Sequence, residues 1–385
     1  MLDRQHRTAL MLAVSGNHIE CVQALLKCGA DPNIVDTDNH SCLFRAVVNG
    51  QNSVVQLLLS SNAEVHATDV NGKTVLHLAA ACGHLVCMQM ILGYMTVETA
   101  ALKDNQQCTA LHWACYNGHA HCVEYLLEKN IFKELEGNSF SPVHCAAFAG
   151  SEKCLELLVN HFGAQIVHLK DCRQRTPLHI TALHGHDCAK YLLDQGAHLQ
   201  VFDDEERTPF IAAAQYGQTQ VVKLLLSYDI DRNTCDKLGN TALHWACLKR
   251  HNQAALLLLE DAQGDAVVNM TNNDKKTPLH VAARNGLADV TRELLKKGAS
   301  VLAVDNEGLT PALCCAPNSN VAQCLALILQ SLPQFSEPNL ENDSVTSQSS
   351  LKSKEISLAL KSMSNISNLS DVKGGSNASS DNEFY

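Results

Sequence analysis

The sequence holds several groupings of residues whose chemistry demands an explanation. His112-Trp113-Ala114-Cys115, followed by His119, His121 and Cys122, puts imidazoles and thiols at intervals that suggest a zinc site. Zinc sites, however, favour closely paired cysteines, and none of the 17 cysteines forms a Cys-x-x-Cys pair. Asn71-Gly72-Lys73-Thr74 imitates the end of a phosphate-binding loop, but that loop needs a glycine where Ala67 stands. Six histidines (His77, His112, His144, His179, His244 and His280) offer acid–base chemistry. Each stands three residues after a Thr or Ser, a phase that points to structural hydrogen bonding rather than catalysis.

Stepping outward from those histidines exposes the elements that position them. A Thr/Ser followed by a small residue or Pro, an apolar residue and often His begins at Thr8, Ser41, Thr74, Thr109, Ser141, Thr176, Thr208, Thr241, Thr277 and Thr310, at intervals of 32 to 36 residues. Ten copies at this period establish an internal repeat. Five residues before each Thr/Ser stands an Asp, or Glu136 or Asn272 in its place. Five after it Ala recurs, as Ala13, Ala46, Ala79, Ala114, Ala146, Ala213, Ala246 and Ala282; nine after it Gly recurs, with Asn17, Arg250 and Ser319 as departures.

Each phase has a physical role. The Thr/Ser caps a helix that admits Pro in its first turn. The small Ala lets helices approach, and the Gly supplies a left-handed end. A second helix then carries aliphatic pairs such as Leu58-Leu59 and Leu126-Leu127, and the Asp stretch forms a projecting turn. Cys21, Cys87, Cys122 and Cys154 share one phase of that second helix and are expected in the core, as are Trp113 and Trp245 four residues after their Thr. The sixth copy's second helix is short, and the eighth copy, with Arg250 at the helix-ending position, is expected to be the loosest.

These copies resemble ankyrin repeats, most clearly in Thr176-Pro177-Leu178-His179 and Thr277-Pro278-Leu279-His280-Val281-Ala282-Ala283. The resemblance implies an all-α ankyrin-repeat solenoid over residues 3–335, about ten helix-turn-helix copies stacked with right-handed sense beside projecting hairpins. The chain opens inside a repeat with no polar cap before Asp3, which suggests a piece or short form of a longer array. Residues 336–385, with 14 Ser among 50, read as a disordered tail. Its Asn-x-Ser triplets, at Asn342, Asn365, Asn368 and Asn377, follow from that composition, and Ser380 before Asp381-Asn382-Glu383 is a candidate kinase site.

Composition narrows the function classes. A net charge of −11 provides no global field for nucleic acid or anionic membranes. The longest aliphatic run, Ala254–Leu259, is far short of a membrane span. The thiols, in a long chain with no export signal read at its start, are expected to be reduced in the cytoplasm or nucleus. No catalytic dyad, metal set or cofactor loop emerges, so no enzyme activity and no cofactor is expected.

Function is therefore expected on a binding surface. In ankyrin stacks the variable contact positions are four, three and one before the Thr and seven and eight after it. From the fourth copy to the eighth these phases hold Tyr116, Phe140, Phe148, Arg173, Arg175, Leu183, His184, Arg207, Tyr216, Leu238, Leu248 and Lys249. Aromatic and Arg side chains dominate binding hot spots, and aromatics are only 5% of this chain.

The stretch from Thr277 to Leu329 resembles the end of the ankyrin-repeat regulatory subunits of serine/threonine protein phosphatase 6. That resemblance implies a non-catalytic subunit that holds the phosphatase catalytic subunit, with a further regulatory subunit, and presents phosphoprotein substrates to it. Two other classes stand beside it: a ubiquitin-ligase substrate receptor, for which no convincing adaptor-binding box is read in Ser336–Tyr385, and a membrane–cytoskeleton linker, for which Lys352, Lys354, Lys361 and Lys373 are too dispersed.

Overall fold

The computed structural model describes residues 3–132, 135, 137–261, 264–315 and 319–332. The proposed tail, 336–385, lies outside the described residues. The chain divides into two compact units, Met1–Asp231 and Arg232–Tyr385, with the boundary between the seventh and eighth copies. All regular elements among the described residues are helical, apart from an isolated bridge between Thr68 and Thr74.

In the first unit seven copies each contribute two antiparallel helices. The first helices are Ala9–Ser15, Cys42–Val48, Val75–Cys82, Ala110–Tyr116, Pro142–Phe148, Pro177–His184 and Pro209–Gln215. The second helices are Ile19–Lys27, Asn52–Ser60, Leu85–Leu92, Ala120–Glu128, Glu152–Phe162, Ala189–Asp194 and Thr219–Leu226. First helices pack on first helices, and second on second through Glu152–Phe162. The alanines at the contact, Ala46, Ala79, Ala114, Ala146 and Ala213, are fully buried. The second unit repeats the pattern with Ala242–Leu248 and Asn252–Glu260, Pro278–Asn285 and Ala288–Lys296, then Ser319–Gln330. The three long repeat intervals each hold an extra turn of helix: Val97–Ala100, Ala164–His168 and Gly264–Val267.

The histidines join the copies. Thr74 Oγ1 lies 2.9 Å from His77 Nδ1, which also accepts the Thr74 N–H. His77 Nε2 then donates over 3.1 Å to the carbonyl of Cys108, the residue just before the next capping Thr. The same bridge runs from His144 to Arg175, His179 to Arg207, His244 to Lys276 and His280 to Leu309. The carbonyl acceptor requires Nε2–H, and in His77, His179, His244 and His280 Nδ1 accepts the capping residue's backbone N–H, so those rings are neutral. His112 keeps its cap, but its buried Nε2 finds no partner.

A second link closes the other end of the first helix. His84, His119, His186 and Gln218 reach back to the carbonyls of Val48, Ala81, Phe148 and Leu183, respectively, at 2.8–3.1 Å. A Cβ on Gly83 would lie 2.6 Å from the His119 ring, so glycine there supplies space as well as its φ of 73°.

The hairpins hang on their aspartates. Asp69 Oδ1 accepts the N–H groups of Asn71 and Lys73, and Asp104, Asp171, Asp203, Asp236 and Asp305 repeat this two and four residues on. Two residues before the cap the backbone is left-handed. Gly72, Gly239 and Gly308 adopt it readily, but His6, Asn39, Gln107, Gln174, Glu206 and Lys275 adopt it too.

Several expectations are corrected. In the tenth copy the described residues at the first-helix position form no helix: Pro311 to Cys314 make a turn. Leu313 replaces the capping-box histidine, leaving Thr310 Oγ1 buried and unbonded. The eighth copy, expected to be loosest, forms both helices, of 7 and 9 residues, with Arg250 at a φ of 64°; its looseness of packing stays an expectation. Cys21 is exposed, unlike Cys87, Cys122 and Cys154. That position faces a preceding second helix, as Cys87 faces Asn52, and no such helix covers Cys21 among the described residues. The sixth copy's second helix is indeed short, 6 residues.

Burial holds His112 and His244 down to about 4 from 6.5, and His77, His144, His179 and His280 are lowered by the same cause. The unfolded chain binds more protons between those values, so stability is full above about pH 6.5 and falls towards pH 4. For His112 and His244 the loss is about 3 kcal/mol each, at roughly 1.36 kcal/mol per pH unit. Melting temperatures measured from pH 7 to pH 4.5 should fall steadily, with a shallower slope in His244→Gln. Glu206→Gly and Lys275→Gly should each raise stability by about 0.5–1 kcal/mol, the left-handed strain relieved less the entropy cost of glycine. Urea midpoints measure that gain; a drop would refute the strain.

Candidate protein-binding surface

The C-terminal ends of the first helices carry the aromatic residues. Tyr116 and Phe148 occupy the final positions of Ala110–Tyr116 and Pro142–Phe148, and His184 ends Pro177–His184. Because the first helices stack in register, these ends fall side by side. The Tyr116 and Phe148 rings stack with centroids 5.0 Å apart and planes 11° from parallel. His184 meets Phe148 edge-on at 4.6 Å.

The row extends back to Trp113, whose ring meets Tyr116 at 6.0 Å and 74°. Lys73 Nζ sits 3.6 Å above the Trp113 ring centroid, within the range of a cation–π contact. Thus four consecutive copies, the third to the sixth, contribute Lys73, Trp113, Tyr116, Phe148 and His184 to one surface line. Aromatic pairs in these arrangements contribute about 0.5–1.5 kcal/mol beyond burial, so the row is preorganised.

Trp113 and Trp245 are the chief residues that phase arithmetic misassigned. Both are half-buried rather than core. Their indole N–H groups donate to the second carboxylate oxygens of Asp104 and Asp236, at 2.9 and 2.7 Å. The paired spacing, Asp nine residues before Trp in both copies, was the available signal.

The other expected positions separate into classes. Tyr216 is 43% exposed at the end of Pro209–Gln215. Phe140 and Arg173 are half-buried, and the Phe140 ring lies 5.4 Å from His144. Arg175 and Arg207 ion-pair with Asp171 and Asp203 in their own turns, at 2.8 and 2.9 Å; they fill the role that tryptophan has in the fourth and eighth copies. Leu183 is buried, at 8% exposure, against the expectation of a surface position. Its helix runs one residue further than those of the fourth and fifth copies, so His184 takes the terminal place. In the second unit Leu238 and Leu248 are exposed, at 57% and 46%, with Lys249 exposed beside them.

A further apolar series escaped the sequence reading. Ile34, Leu102 and Leu169 are exposed on the outer arms of the hairpins. All three stand seven residues before their cap, and that shared phase was legible.

The groupings that suggested other chemistry are accounted for by the fold. His112 is bonded to Thr109, and Cys115 is buried, with its thiol raised well above the ordinary range by burial. Asp36, Asp38 and His40 converge closely, but Asp36 already accepts the backbone N–H groups of Asp38 and His40 and pairs with Arg45. Among the described residues no helix is long and apolar enough to cross a membrane.

Residues 1–69, 43–137, 132–203 and 199–272 match ankyrin repeats (3 copies), and 261–312 match ankyrin repeats (many copies). The chain belongs to the ankyrin-repeat family. It is 31% identical over 219 residues to ankyrin repeat and SOCS box protein 16 of Homo sapiens, covering 54% of this chain and 47% of that protein. It is 30% identical over 181 residues to a transient receptor potential cation channel subfamily A member 1 homolog of Caenorhabditis elegans, covering 46% of this chain and 14% of that protein. The chain thus spans less than half the length of either relative. Ankyrin repeats are protein-binding modules.

Trp113→Phe keeps the ring but removes the indole N–H, leaving the Asp104 oxygen, in a residue 2% exposed, without its donor. A loss of about 1–3 kcal/mol is expected. Phe148→Leu should cost less, about 1 kcal/mol, because the ring is half-buried and no polar group is orphaned. Urea unfolding of the two variants checks the order; equal losses would deny the indole its structural role.

Proposed function

We propose that this ankyrin chain is a protein-binding scaffold that catalyses no reaction of its own, and that it serves as a regulatory subunit of protein phosphatase 6. The aromatic row Trp113–Tyr116–Phe148–His184 carries the scaffold reading. It assembles three Phe, Trp or Tyr rings and one imidazole in a chain with only 5% Phe, Trp and Tyr, and aromatic clusters of this kind anchor protein interfaces. The phosphatase assignment is supported by the resemblance of Thr277 to Leu329 noted above. On that reading the partners are the catalytic subunit, a further regulatory subunit and phosphoprotein substrates, in the cytoplasm or nucleus. The mechanism is effective concentration: a substrate held by the repeats meets the catalytic subunit as a nearly intramolecular reactant.

A second reading is favoured by one observation, the 31% identity to an ankyrin repeat and SOCS box protein. It makes the chain a substrate receptor of a ubiquitin ligase, using the same row for its substrate.

The test is affinity purification of the tagged chain from cells beside a Tyr116→Asp/Phe148→Asp/Tyr216→Asp variant whose helicity by circular dichroism is intact. Recovery of the phosphatase catalytic subunit by the parent and its loss from the variant is expected. Recovery of ligase subunits alone would replace the phosphatase reading with the receptor reading, and equal recovery by both baits would remove the row from the interface.

A further inference from the structure

The second unit carries a surface of a different kind. In the eighth copy Asp236 joins hairpin to helix: its Oδ1 accepts the Leu238 N–H and its Oδ2 the Trp245 indole N–H at 2.7 Å. This brings Lys237 and Leu238 of the hairpin to the side of the helix that carries Trp245, Leu248 and Lys249. Lys249 Nζ lies 5.9 Å from the Trp245 ring. The ninth copy abuts the patch, with Asn273 bonded to the Leu238 and Lys237 carbonyls and Asn285 to that of Leu248.

The patch is apolar and cationic at once. Leu238 and Leu248 are 57% and 46% exposed. Lys237, Lys249 and the neighbouring Arg284 are also exposed. In the following copies Lys276 is held between Asp274 and Glu307, 3.6 and 3.7 Å away. The exposed charges of the patch itself, Lys237 and Lys249, are both cationic, in a chain whose net charge is −11.

The same chain supplies a segment of complementary chemistry. Asp381-Asn382-Glu383-Phe384-Tyr385 sets two carboxylates beside two aromatic rings. Forty-eight residues separate Leu332 from Asp381; a linker of that length reaches about 35–40 Å in root-mean-square terms. Leu332 follows the tenth copy's helix, two copies from the patch. With neighbouring helices about 8–10 Å apart, that is roughly 20 Å. The segment reaches its site without extension, at an effective concentration on the order of millimolar.

We infer that the acidic-aromatic segment Asp381–Tyr385 docks in cis on the surface formed by Lys237, Leu238, Trp245, Leu248 and Lys249. The two rings cover the leucines, and the carboxylates of Asp381 and Glu383 face Lys237 and Lys249. The inference goes beyond the partner reading above and uses different copies, so either can fail alone.

The test uses the full chain. Phe384→Ser/Tyr385→Ser leaves the surface open, and a fluorescein-labelled synthetic peptide, Ser376–Tyr385, is then titrated by fluorescence anisotropy. Binding to this open chain is expected. It should weaken at least tenfold in the parent chain, where the native segment competes. It should also weaken at least tenfold when Lys237→Glu/Lys249→Glu is added to the open chain with its melting temperature unchanged. No binding at millimolar protein, binding indifferent to the charge reversal, or binding lost instead with Tyr116→Ala/Phe148→Ala would overturn the inference.

Discussion

The structure depends on one hydrogen-bonded relay: a capping threonine or serine, a neutral histidine one turn later, and the backbone carbonyl that precedes the next copy's cap. The ring serves two helices at once, closing the N-terminus of its own and fixing the approach of the following hairpin. Its chemistry leaves little latitude. Nδ1 must accept and Nε2 must donate, so a proton added to the ring breaks the cap. Burial, which keeps these rings uncharged, is thus part of the bonding and not merely its setting.

Much of the fold was legible because the relay is written at a fixed period. The cap, the small residue five positions on and the left-handed position nine positions on recur in phase, and each phase carries a single mechanical requirement. The errors fell where one phase supports two solutions. Asp104 and Asp236 accept from tryptophan, whereas Asp171 and Asp203 accept from arginine within the turn; the periodic pattern alone does not separate these, and Trp113 and Trp245 were assigned to the core. Leu183 was misplaced because its helix runs one residue longer than its neighbours. Cys21 and the tenth copy's first helix failed for another reason: they rely on neighbouring structure or on a histidine that those copies lack.

The surface follows from the same period. Side chains at the end of each first helix must lie beside their counterparts in the next copy, so Tyr116 and Phe148, exchanged for smaller residues elsewhere, stack without any loop being shaped to hold them. The resulting row is rigid because the helices under it are rigid. The eighth copy uses the same positions with a different outcome. There Leu248 and Lys249 replace the rings, and an exposed Leu238 is added from the hairpin, giving a surface whose character is set as much by charge as by shape.

His112 has a consequence of a mechanical sort. Between the fourth and fifth copies the directional bond found at the other histidine junctions is missing, while the Tyr116–Phe148 stack crosses that same junction. A hydrogen bond fixes an angle; two parallel rings tolerate sliding at little cost. The fourth and fifth copies are instead tied by Asn138, whose backbone and side-chain N–H groups donate to the carbonyls of Gln107 and Gln106, both at 2.8 Å, and by the ring stack.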